Sequence, residues 1–207
     1  QALTTIQFNA QQVMDEVKVA KTVYDNITNQ RELAFRETRL LGSRICFLLR
    51  ACGAHPLTLA DAYTSNRSLQ GARKYRSPAL RPVEGDDATD SNRKRMSTDY
   101  ASKVQYFAQL VETAAAEPNY NPTERELSVE GLEERVLQLR SLNELVMKAE
   151  QRLKQLRQQR REIFYEGEHS LVNTARAAKN YIRGVFGFAS VPSAELMKVS
   201  FTKPVTR

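Results

Sequence analysis

Residues 2–52, ALTTIQFNAQQVMDEVKVAKTVYDNITNQRELAFRETRLLGSRICFLLRAC, place an apolar residue at every seventh position: Ile6, Val13, Ala20, Ile27, Ala34, Leu41 and Leu48. Four residues after each stands a second series, Ala10, Val17, Tyr24, Arg31, Thr38, Ile45 and Cys52. Alternating steps of four and three keep one stripe on one side of a helix, which is the seam of a coiled coil. The run holds no proline, and Gly42 is its only glycine before Gly53. The spacing predicts a helix from about Ala2 to Cys52, about 70 Å long at 1.5 Å per residue, stopped by Gly53. A stripe of that length must lie against partner helices. The fold class it predicts is all-α: an elongated antiparallel helical bundle or coiled coil with two long helices, a long central loop and a short extended C-terminal tail.

The partner helix is visible further along. Leu132, Leu139, Val146 and Leu153 repeat every seven residues, with Leu142, Ala149, Leu156 and Ile163 as companions. They predict a second long helix opening near Thr123, with Glu124 and Glu126 at its positive end. Gly167 interrupts it, and Leu171, Ala175, Ala178, Ile182 and Val185 resume the spacing until Gly184 and Gly187. Between the long helices, Leu57 to Tyr63 suit a short helix after His55-Pro56. Tyr100, Val104, Phe107, Leu110 and Val111 suit another, capped by Ser97 or Thr98 and ending about Ala116. Pro118 and Pro122 bracket a turn that no helix crosses. Residues 66–96 carry Gly71, Pro78, Pro82, Gly85 and Asp86-Asp87 with little apolar content, and read as an exposed loop. One elongated bundle domain over residues 1–190 follows, with 191–207 as an extended docking tail. Val199 and Phe201 alternate with Ser200 and Thr202 before Pro204, a strand signal. A lone strand has no ladder of its own, so Val199 and Phe201 are the candidate assembly residues.

Composition sets outer bounds on function. The 41% hydrophobic and 27% charged content, without Trp, fits a bundle with a thin core and much solvated surface. The net charge of +7 permits a polyanionic partner, nucleic acid or an acidic membrane surface, and equally a basic surface that keeps an oligomer soluble. Cys46 and Cys52 stand six residues apart, about 9 Å along a helix, too far for an intrahelical disulfide. Neither has a CxxC partner, so zinc or redox chemistry is not expected, and the usage suits a reducing compartment such as the cytoplasm. No apolar run reaches the 18 or more residues of a membrane span. The chain starts at Gln1 rather than Met, which leaves a removed signal peptide open.

Two basic stretches are candidate polyanion-binding elements. Arg67, Arg73, Lys74, Arg76 and Arg81 follow one another without an acid, the composition of a segment that folds onto phosphates. Lys148, Arg152, Arg157 and Arg160 give the second long helix a basic face. Glutamines interleave that face and no aromatic residue offers a stacking platform, so a solvated flank paired with Asp15, Glu16, Asp25 and Glu32 explains it as well. Glu166 and His169 have the E-x-x-H spacing of a di-iron ligand, but the chain has no second such pair, and Gly167 sits between them. GxGxxG, GxxxxGK[ST], HExxH and GxSxG do not occur. An enzyme, a cofactor, a metal and a small-molecule substrate are therefore not expected.

The segment Glu117-Pro118-Asn119-Tyr120-Asn121-Pro122-Thr123-Glu124, followed by Glu126-Leu127-Ser128-Val129, resembles the junction EPxYxPNExELxVxxL of a family of uncharacterised bacterial proteins, chiefly of Bacteroidetes. Asn66 to Gly71 and Lys179 to Gly187 are similar to that family's middle and C-terminal segments. Thr123 departs from the usual Asn, and the tail lacks the usual glycine before its last apolar residues. The resemblance implies a helical protein and carries no activity, cofactor or catalytic residue with it. The function expected from residues and resemblance together is a structural or scaffolding protein that self-associates as a homo-oligomer through its long helices. The alternative is a nucleic-acid-associated protein that uses the basic loop and helix face.

Overall fold

The computed structural model describes residues 2–71, 99–187 and 190–200, and all regular structure in them is helical. α1 runs Ala2–Ala51, α2 Pro56–Gln70, α3 Tyr100–Ala115, α4 Val129–Arg161, α5 Leu171–Phe186 and α6 Val191–Met197. A 3-10 turn at Arg125–Leu127 precedes α4, and a π-helical turn at Glu162–Glu166 comes after it. The all-α helical bundle expected from the heptads is the fold observed. Each of the seam positions of α1, from Ile6 to Cys52, is buried or half-buried. Gly53 stops the helix in the left-handed region, at φ +80°, where an L side chain would be strained.

Contacts divide the chain into two compact units. One comprises Gln1–Asn26 with Met147–Arg207, and the other Ile27–Val146. Within each, α1 and α4 run antiparallel. Arg44 pairs with Glu126 while Glu37 pairs with Arg135, so numbers fall on one helix as they rise on the other. In the first unit Glu16 faces Arg152, and Ile6 and Asn9 lie beside Glu162 and Ile163.

The second unit holds the larger core. Phe35, Ile45 and Leu49 of α1, Leu69 of α2, Phe107 and Leu110 of α3, and Leu132 and Leu139 of α4 are all but closed to solvent. α1 and α2 touch at Gly42, where a Cβ would come 2.7 Å from Asn66 Oδ1 and 2.9 Å from Leu69 Cδ2. The central loop, expected from residue 66, does not start there. α2 continues to Gln70, because Ala62 and Leu69, seven residues apart, both bury fully against this core. Gln70 Nε2 also donates to the Arg39 carbonyl at 2.9 Å. Residues 72–98, with the rest of that expected loop, lie outside the described residues.

Local capping moves two more boundaries. α3 starts at Tyr100 with Asp99, rather than Ser97 or Thr98, in the N-cap position. α4 opens six residues after Thr123, because the buried Tyr120 donates its hydroxyl to the Leu127 carbonyl at 2.9 Å and holds the chain in the turn. Ser128 then caps α4, its Oγ accepting the Gly131 N–H at 3.2 Å.

The first unit has a smaller core of Val17, Leu153 and Leu156, bordered by Val13, Ala20 and Tyr24. α5 runs through Gly184 and ends only at Gly187. The tail is not extended over residues 191–197. Ser190 Oγ accepts the Ser193 N–H at 3.4 Å and Pro192 sits in the first turn, which together start α6. Residues 201–207, and Phe201 with them, lie outside the described residues.

Candidate functional site

The basic face of α4 is exposed, as a polyanion site requires, but its charges are partly matched. Arg152 stands 3.8 Å from Glu16, Lys154 Nζ 2.8 Å from Glu150, and Arg161 Nε 2.5 Å from Glu166. Arg157 lines a groove that also holds Lys21, Asp25 and Glu150. Lys148 and Arg160 are solvent-exposed. Arg67 is exposed in the last turn of α2, while Arg73, Lys74, Arg76 and Arg81 lie outside the described residues. Glu166 is taken up by its ion pair with Arg161, and both Glu166 and His169 are exposed. Val199 is 48% exposed, and its carbonyl accepts from Lys179 Nζ at 2.5 Å.

The polar residues inside the α1 seam have partners that spacing does not announce. Thr38, fully buried, donates to the Ala34 carbonyl at 2.7 Å. Arg135 of α4 reaches the same turn of α1. Its Nε donates to Thr38 Oγ1 at 3.1 Å, and its Nη2 to the Ala34 carbonyl at 2.8 Å and to Glu37 Oε2 at 2.7 Å. Arg31, the other polar seam residue, lays its guanidinium over the Tyr100 ring with Cζ 3.9 Å from the centroid. Phe35 meets the same ring edge-on at 4.8 Å. Lys103, 6% exposed, brings its Nζ within 4.7 Å of that centroid.

A second apolar series, one residue ahead of the seam, stays uncovered. Leu33, Leu40 and Phe47 are spaced by seven on α1 and are 54%, 67% and 66% exposed. Seven-residue spacing keeps the three on one side of the helix. Leu40 borders an open groove of about 770 Å³ between α1 and α4, whose charges are Glu37, Arg44, Arg125, Glu126, Glu134 and Arg135. They pair as Arg44–Glu126, Arg125–Glu134 and Arg135–Glu37, so the groove walls are polar without a net charge. The chain matches no family model, no curated protein and no solved structure. Any functional conclusion therefore rests on these side chains. Among the described residues no helix is long and apolar enough to cross a membrane.

Proposed function

We propose that the protein is a non-enzymatic helical scaffold that self-associates through the outer face of α1. The observation that carries this reading is the exposed series Leu33, Leu40 and Phe47. Burying one such side chain is worth roughly 1.5–3 kcal/mol, and seven-residue spacing is the register a partner helix packs into. A second copy of the chain offers the same stripe, and two-fold pairing sets each face against itself. The internally paired charges beside Leu40 favour this partner, because two identical copies of a strongly charged groove would repel each other. The resemblance at Glu117 to Val129 supports membership of the bacterial helical family, and the free thiols Cys46 and Cys52 suit a reducing compartment.

Light scattering after size exclusion, at low and high salt and after nuclease treatment, tests the reading. The expected result is a salt-resistant oligomer free of nucleic acid that the double substitution Leu40→Glu with Phe47→Glu reduces to a monomer of unchanged helicity. A monomeric wild-type chain overturns the proposal. Nucleic acid that copurifies and leaves at high salt would favour the alternative, binding through Lys148, Arg157 and Arg160.

A further inference from the structure

Three cations meet at the first turns of α3. Arg31 and Arg39 come from α1 and Lys103 from α3, with Tyr100 under two of them. Lys103 is 6% exposed, and among the described residues its ammonium lies over the Tyr100 ring. Arg31 and Arg39 are half-buried, and each buries its Nε without an acceptor. Burial lowers the pKa of Lys103, and Arg39 and then Arg31 push it the same way, with Asp99 opposing them. A ring face attracts cations but brings no charge to neutralise them. The backbone adds to the imbalance. Asp99 holds the N-cap position of α3 without a side-chain cap hydrogen bond, so the positive end of that helix opens beside the three side chains.

Like charges gathered out of water are retained where a counter-charge joins them, since an uncompensated buried cation opposes folding. Arg135 shows how this chain treats a buried guanidinium it uses for structure alone: every nitrogen finds an acceptor. The three cations at α3 depart from that pattern. We infer that Arg31, Arg39, Lys103 and the first turn of α3 form a binding site for a small, multivalent oxyanion of the phosphate type. Among the described residues Asp99 opposes these positive charges in part, and a dianion matches the remainder. Arg31 and Arg39 are eight residues apart, about 12 Å along the helix axis, and both act electrostatically on Lys103. That span suits two linked phosphates better than one. A nucleic-acid backbone is the poorer occupant, because a polymer lying on the surface makes little contact with a residue that is 6% exposed.

Sodium pyrophosphate and inorganic phosphate are the probes, titrated into the full chain at constant ionic strength and followed by calorimetry and thermal melting. Wild type should bind pyrophosphate more tightly than phosphate, and its melting temperature should rise with concentration. Lys103→Met should lose affinity roughly tenfold or more, as expected for removing a charge-assisted contact. Without anion it should melt higher than wild type, because it removes a buried charge. Arg39→Gln, at a half-buried position, should lose affinity with its helicity intact. The proposal is overturned if wild type does not respond to pyrophosphate, or if both variants respond as wild type does. Binding of a single-stranded oligonucleotide without binding of pyrophosphate overturns it too.

Discussion

Replacing Arg135 with Met tests whether α1 and α4 are held in the second unit by a polar clamp as well as by their seam. The side chain is 16% exposed, so its hydrogen bonds act largely out of water. The Glu37 carboxylate is 54% exposed, and that ion pair contributes about 0–1 kcal/mol after screening. Thr38 Oγ1 and the Ala34 carbonyl keep their own 2.7 Å bond after the substitution, so neither is orphaned. What disappears is a set of charge-assisted bonds to buried acceptors, roughly 1.5–3 kcal/mol. Burial of the Met side chain returns about 1 kcal/mol. The net loss is about 0.5–3 kcal/mol, and at 2–4 °C per kcal/mol for a chain of this size the melting point should fall by about 1–12 °C. Arg135→Lys should lose nearly as much, because an ammonium cannot fork between Thr38, Ala34 and Glu37. Scanning calorimetry of the three proteins decides it. If Arg135→Met melts within about one degree of wild type or above it, guanidinium desolvation cancels the bonds and the reasoning is refuted.

Gly42→Ala gains about 1 kcal/mol of helix propensity but drives a Cβ against Asn66 and the fully buried Leu69. The collision should win by about 1 kcal/mol, and a higher urea midpoint than wild type would refute the close α1–α2 approach. Burial pushes the Cys46 thiol up to about 11 and the Tyr120 hydroxyl up to about 12, from ordinary values of 9.0 and 10.0. Both raised acids favour the protonated folded state, so their stability is fully present below about pH 9 and drains away as pH climbs to about 12. Melting temperature tracked from pH 8 to 12 should fall through that window, and a flat or rising profile contradicts it.

The seam was legible because burial in a helical bundle obeys the same period as the helix. Even its misfits were in place: Arg31 and Thr38 stand at seam positions and face inward, but toward Tyr100 and Arg135, which lie far along the chain. Periodicity locates such residues and is silent about their partners. The same limit hid the three cations at α3, which only the packing of two helices brings together. Leu33, Leu40 and Phe47 did carry a readable signal, a seven-residue repeat one position ahead of the seam. It was masked by the stronger repeat beside it. Boundaries were missed where a single hydrogen bond decided them, as at Tyr120 and Ser128 for α4 and at Ser190 for α6. Such bonds turn on rotamer and turn geometry, to which apolar spacing is blind.

The division of the chain fixes an order of events during synthesis. Ile27–Val146 is one unbroken stretch, so its helices can close on each other as soon as Val146 has left the ribosome. Gln1–Asn26 must wait for its partner stretch, Met147–Arg207, several seconds more at roughly 5–20 residues per second. Until Leu153 and Leu156 follow, Val13, Val17 and Ala20 have no partner from that stretch to cover them. Residues 1–26 are thus made before Ile27–Val146 and sheltered after it, and a chaperone that guards nascent apolar segments would find a target there.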